Sequence, residues 1–119
     1  MAQIIAFFED SSLKNFFPLT LTRPIYDLRV GILTLAEKWL SAVGSRNEAC
    51  GIQRDNLKEL FAEPPLLETD DSCYWINPRV FPDKNLVSRI KKLSVNSVLT
   101  DGNIMIAAHL SADIHNGWL

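Results

Sequence analysis

Two arginines and a glycine raise the first chemical question in this chain. The run Phe17-Pro18-Leu19-Thr20-Leu21-Thr22-Arg23-Pro24 leads into Ile25-Tyr26-Asp27-Leu28-Arg29-Val30-Gly31. Two prolines stiffen it, and Gly31 stands just before an amphipathic helix. Guanidinium forks grip phosphate bidentately, and the free N–H groups and dipole of a helix N-terminus favour the same ligand. Arg23, Arg29 and Gly31 therefore suit an anion. The competing reading is that the two arginines pair with Asp27, Glu9 or Asp10 and simply pin the loop.

The elements that would position these residues follow from hydrophobic patterning. Ile4 through Phe8 is a short, continuous apolar run closed by Glu9-Asp10-Ser11-Ser12, which reads as a strand buried on both faces of a parallel sheet. Residues 9–31 form a long connection, of the kind that is usually functional or structured in itself. A helix is expected over 32–43, with Ile32, Ala36, Trp39, Leu40 and Val43 on one face and Thr34, Glu37, Lys38 and Ser41 on the solvent side. Gly44 supplies its end.

Further along, 49–53 reads as a short strand, and Asp55 can cap a helix over 56–62 that Pro64-Pro65 stops. Cys73 to Asn77 is a third strand, rich in residues that fit a pleated surface. Pro82-Asp83 opens a helix with Leu86, Val87, Ile90 and Leu93 inward and a basic outer face. Asp101-Gly102 between apolar runs marks a hairpin of 98–100 with 103–108. The tail from Ser111 shows no clear period. Alternating strands and helices imply a single α/β domain over residues 1–119, with a mostly parallel sheet and a C-terminal β-hairpin.

Composition narrows the partners. The 119 residues are 47% apolar and 22% charged with a formal charge of −2, which gives no electrostatic footprint for nucleic acid or an anionic membrane. The N-terminus lacks the basic segment of a signal peptide, no window reaches the length of a membrane span, and a cytoplasmic protein is expected. Cys50 and Cys73 lie outside any CxxC spacing and read as buried free thiols, with a disulfide or a metal site as alternatives. His109 and His115 have no nucleophile or carboxylate nearby in sequence, and no acid–base role is assigned to them.

Pro18-Leu19-Thr20 and Pro24, with the preceding strand and following helix, resemble the opening of sugar-phosphate nucleotidyltransferases, whose loop reads G-G-x-G-T-R-L-x-P-L-T before a P-K-P-L turn. The run PLTLTRPIYDLRVGILTLAEKW, the segment WINPRVFPD and the hairpin TDGNIMIAA look like a divergent bacterial branch. There a reduced nucleotidyltransferase-like module precedes a hexapeptide-repeat β-helix, a domain order similar to the N-acetylglucosamine-1-phosphate uridyltransferases. The resemblance implies a reduced Rossmann-like nucleotide-diphospho-sugar transferase fold, Mg²⁺ as cofactor, and a nucleoside triphosphate and a sugar 1-phosphate as ligands. It also implies that the chain is the N-terminal part of a longer protein. Arg23 and Arg29 then become the candidate catalytic cations, and Thr20, Thr22, Gly31 and Asn77 the candidate binding residues.

The departures are specific. Asp10, Ser11 and Leu13 stand where the family has glycines that close on the triphosphate, Asn15 replaces a phosphate-binding arginine, and Ile25 replaces a lysine. Arg79 stands where an aspartate would hold the metal, and a guanidinium cannot ligate Mg²⁺. Three functions fit: nucleotidyl transfer with pyrophosphate release, nucleotide or sugar-phosphate binding without catalysis, or an assembly domain with a degenerate site. Homo-oligomerisation through exposed apolar surface is expected under each.

Overall fold

The computed structural model describes residues 3–10, 23–44, 49–54 and 57–118. Thr20 and Thr22, together with Ser11, Leu13, Asn15 and Asp55, lie outside the described residues. The strands are β1 (Gln3–Phe7), β2 (Arg29–Val30), β3 (Leu33–Thr34), β4 (Ser72–Ile76), β5 (Ser97–Asp101) and β6 (Ile104–Ser111). The helices are α1 (Leu35–Val43), α2 (Lys84–Lys91) and α3 (Ala112–Trp118), with a 3-10 turn at Ile25–Asp27.

A four-stranded sheet runs in the order β1-β4-β6-β5. Only β1 and β4 pair in parallel among these strands; β4–β6 and β5–β6 are antiparallel. The mostly parallel sheet expected from the alternation is therefore a mixed one. The closing hairpin lays its second strand against β4 and leaves β5 outermost, so no second crossover extends the parallel part.

Side-chain alternation fills both faces of the sheet. Ile5, Phe7, Tyr74 and Ile76 face a core with Ala36 and Trp39 of α1 and Val87 and Ile90 of α2. Ala6, Cys73, Trp75, Ala108 and Leu110 face a second core with Leu67 and Ala112. Trp39 is fully buried, as its place on the apolar stripe predicts, and its indole N–H donates to the Val80 carbonyl at 2.8 Å. Both cysteines are buried free thiols.

Helix α1 begins later than its apolar period suggests. Arg29 pairs with Thr34 and Val30 with Leu33, so Gly31 and Ile32 form the turn of a small hairpin, and Ile32 is 87% exposed. Gly31 has φ 77°, which accounts for glycine there. The helix starts at a capping box: Thr34 Oγ1 accepts from Glu37 N at 3.1 Å, and Glu37 Oε1 accepts from Thr34 N at 2.9 Å. These bonds hold the Glu37 carboxyl below its ordinary range, the backbone N–H of Thr34 being the larger cause. Gly44 ends the helix in the left-handed conformation.

Other elements differ in extent. Residues 49–53 form a single parallel bridge, Phe7 to Gly51, rather than a strand. A Cβ on Gly51 would sit 2.5 Å from the Phe7 carbonyl oxygen, so only glycine permits this approach. Of the helix expected over 56–62, the described residues 57–62 show one turn, closed by Leu60 and Phe61 N–H groups on the Leu57 carbonyl. Asp83 caps α2 through Leu86 N as the sequence suggests. The β5–β6 turn is Gly102-Asn103, one residue beyond the Asp-Gly pair.

The tail, which lacks a visible period, contains α3 and buries His115 completely. The His115 ring joins the Trp75 indole N–H at 3.1 Å to the Pro65 carbonyl at 2.9 Å. An indole donates only and a carbonyl accepts only, so Nδ1 accepts and Nε2 carries the proton.

Candidate functional site

The in-register parallel pair fixes where chemistry can gather. Phe7 lies opposite Ile76, so the chain leaves both strands at the same level. In open α/β sheets ligands bind beyond the carboxyl ends of parallel strands. Here those ends carry Glu9 and Asp10 after β1, and Asn77 and Arg79 after β4.

Asn77 is fully buried and its amide is used on both sides. Nδ2 donates to Asp10 Oδ2 at 2.9 Å and to the Met105 carbonyl at 3.2 Å, while Oδ1 accepts from Arg79 N at 3.3 Å. Arg79 Nε donates to the same Asp10 oxygen at 2.9 Å. A second pair lies alongside: Arg54 Nε donates to Glu9 Oε1 at 2.9 Å, and Glu9 Oε2 accepts from Ile25 N at 2.8 Å. Arg54 Nη2 reaches the Arg23 carbonyl at 2.9 Å. Glu9 thus ties β1 to both the 3-10 turn and the segment after the Gly51 bridge.

A cavity of about 230 Å³ opens at this point, lined by Phe8, Glu9, Asp10, Ile52, Gln53 and Arg54. Gln53 is buried beside it. Its Nε2 lies 2.9 Å from the Tyr26 hydroxyl, 3.1 Å from the Gly51 carbonyl and 3.0 Å from the Ala62 carbonyl, whereas Oε1 has no partner among the described residues. Burial pushes the Tyr26 hydroxyl up to about 12, against which the Gln53 bond acts in the opposite sense. Larger clefts, of about 600 to 670 Å³, flank α2 and the acidic 68–71 segment, the latter at the opposite end of β4 from Asn77.

The sequence-derived candidates separate into two groups. Arg23 pairs with Asp27 at 3.6 Å, and Arg29 Nη1 donates to the Ile32 carbonyl at 2.7 Å, closing its hairpin. Gly31 belongs to that hairpin and not to the first turn of α1, whose N–H groups meet the capping box. Of the described candidates, only Asn77 joins the cluster at the strand ends. Ile25, at the position the resemblance gives to a lysine, is fully buried. Among the described residues the cations at the strand ends are Arg54 and Arg79, and Arg79, Glu9 and Asp10 are the charged residues that directly follow the buried parallel strands.

Magnesium needs oxygen ligands with free lone pairs. Glu9 uses both carboxylate oxygens on N–H donors, and Asp10 Oδ2 receives two. Among the described residues no three of His, Cys, Asp and Glu converge on one point. The carboxylates at the strand ends are engaged by N–H donors and, among the described residues, lack the further carboxylate that would complete a set of ligands for the ion. Among the described residues, no helix is long and apolar enough to cross a membrane.

Comparison with known proteins agrees with this arrangement at the level of family. Searches of curated proteins and of solved structures return no match. A family model described as sugar nucleotidyl transferase matches residues 5–117, from β1 through α3. The chain belongs to the sugar nucleotidyl transferase family.

Proposed function

We propose that the chain binds a nucleoside triphosphate and a sugar 1-phosphate at the carboxyl ends of β1 and β4 and transfers the nucleotidyl group between them. In that reaction an oxygen of the sugar phosphate attacks the α-phosphorus, the bond to the β-phosphate breaks, and pyrophosphate leaves. The observation that carries the reading is that Glu9 and Asp10, which line the cavity at the end of the β1–β4 pair, hold Arg54, Arg79 and Asn77 there.

The chain's own groups would act by positioning and charge. Two guanidinium groups held by carboxylates give fixed N–H donors for phosphate oxygens, the main need in phosphoryl transfer. Asn77 holds Asp10 and the Arg79 backbone, and so keeps that geometry. Arg23 and Arg29, the cations first suggested by the sequence, lie against Asp27 and the Ile32 carbonyl and do not line this cavity.

A binding module without turnover is the second reading, favoured by the engagement of both strand-end carboxylates with N–H donors. The two are separated by a pyrophosphate-release assay run with each of the four nucleoside triphosphates and common sugar 1-phosphates, alongside thermal shifts with the same ligands. Release with one pair supports transfer. A shift without release supports binding alone, and no shift removes both.

The finer expectations belong to the same proposal: kinship with modules that precede a hexapeptide-repeat β-helix, a cytoplasmic setting, and self-association. Ile32, Leu60 and Leu66, each more than two-thirds exposed, are apolar side chains such an interface would cover. Sedimentation velocity over a range of concentrations tests the last point.

A further inference from the structure

Arg79 is held by one edge only. Its Nε donates to Asp10, its backbone N–H to Asn77 Oδ1, and neither Nη nitrogen makes a hydrogen bond among the described residues. The side chain is 26% exposed, so part of it is open to solvent. A guanidinium has two usable edges, and the Nη1–Nη2 edge matches two oxygens of a phosphate. Asp10 both anchors this arginine and lines the 230 Å³ cavity, so the guanidinium is one hydrogen bond from the cavity lining.

The same contacts work against a divalent cation here. It would compete with the donors on Asp10 Oδ2 and on both Glu9 oxygens, and would meet the charges of the Arg79 and Arg54 guanidinium groups that those carboxylates hold. The positive charge at the strand ends is already supplied by side chains.

We infer that Arg79 is an anion-binding residue standing in for a divalent cation: its Nη edge takes a phosphate group beside the cavity, and binding requires no metal. The inference deepens the proposed function and rests on it for the identity of the natural ligand, a phosphorylated nucleotide or sugar. Asp10 is then a counter-ion that orients the guanidinium and competes with the ligand for it, rather than a metal ligand.

The test uses inorganic pyrophosphate as the probe, titrated up to about 10 mM, a range that captures millimolar affinity. The ¹⁵N-labelled chain is held in EDTA or in Mg²⁺, and the Arg79 Nε–Hε resonance is followed. Saturable movement of that resonance in EDTA is expected. Asp10→Asn should tighten binding several-fold, Arg79→Gln should weaken it about tenfold or more, and Arg79→Lys should fall between, keeping charge without the fork.

Binding that appears only with Mg²⁺ and is lost in Asp10→Asn would overturn the inference, as would an Arg79 resonance that pyrophosphate never moves. The wild-type titration stands even if a variant fails to fold. Pyrophosphate bound at Arg79 with no nucleotide or sugar phosphate bound would keep this site and remove the proposed transfer. A nucleoside triphosphate bound with Arg79 unmoved would do the reverse.

Discussion

Asp10 and Arg79, 69 positions apart, meet at 2.9 Å because Phe7 and Ile76 lie opposite one another in parallel strands. Register thus converts two unremarkable strand-end residues into a pair, and Asn77 locks it from beneath. Replacing Asn77 by Ala takes one donor from the Asp10 carboxylate, one from the part-buried Met105 carbonyl and the acceptor from Arg79 N. A loss of about 2 kcal/mol in unfolding free energy is expected, the usual cost of stranding a buried polar partner. Urea denaturation measures it, and a loss below about 0.5 kcal/mol, the range of an uninvolved surface change, would contradict this role.

Gly51 is required by contact rather than by φ. Gly51→Ala puts a methyl group against the Phe7 carbonyl oxygen and should cost about 1–3 kcal/mol, as overpacking does. The change should also loosen the segment that carries Gln53 and Arg54. Hydrogen exchange at Phe7 and Ile52, whose N–H groups bond across this bridge, reports it; unaltered protection there would show that the bridge tolerates a side chain.

The Glu37 carboxyl is lowered by its bonds to Thr34. A lowered folded-state value means the charged form is favoured in the native helix. The capping contribution is therefore full above the ordinary glutamate range and is lost as pH falls through the lowered value. Amide protection in the first turn of α1 should fall over that acidic window, and Glu37→Gln should flatten the dependence while retaining an acceptor. A pH profile unchanged by that substitution would place the effect elsewhere.

Burial pushes the Cys50 thiol up to about 11 and raises that of Cys73 as well. The thiolate is the reactive form, so both should resist alkylation by iodoacetamide in the native protein at pH 8 and react on addition of urea. Rapid native labelling of either cysteine would mean that the second core opens readily.

Much of the fold is legible in the residues because its elements are locally consistent. The apolar run of β1, the Cys73–Asn77 strand, the Asp83 cap and the period of α2 all agree with their tertiary surroundings. Ile32 misleads because it continues the helical stripe while belonging to a turn. Thr34 and Glu37, spaced as a capping box, are the better guide to where α1 begins. The site was harder to see for a different reason. Arg23 and Arg29 sit together in sequence and lie against Asp27 and the Ile32 carbonyl, whereas Glu9–Arg54 and Asp10–Arg79 are long-range pairs that only the strand order and register disclose.

The central claim is that ligand binds where β1 and β4 end. The most direct measurement is a ¹H–¹⁵N chemical-shift map of the chain with the nucleoside triphosphate that gives the largest thermal shift. Perturbations concentrated at Glu9, Asp10, Gln53, Arg54, Asn77 and Arg79 are the predicted result. Perturbations centred on residues 23–31, with these six unmoved, would contradict the account and return the site to the arginine-bearing turn.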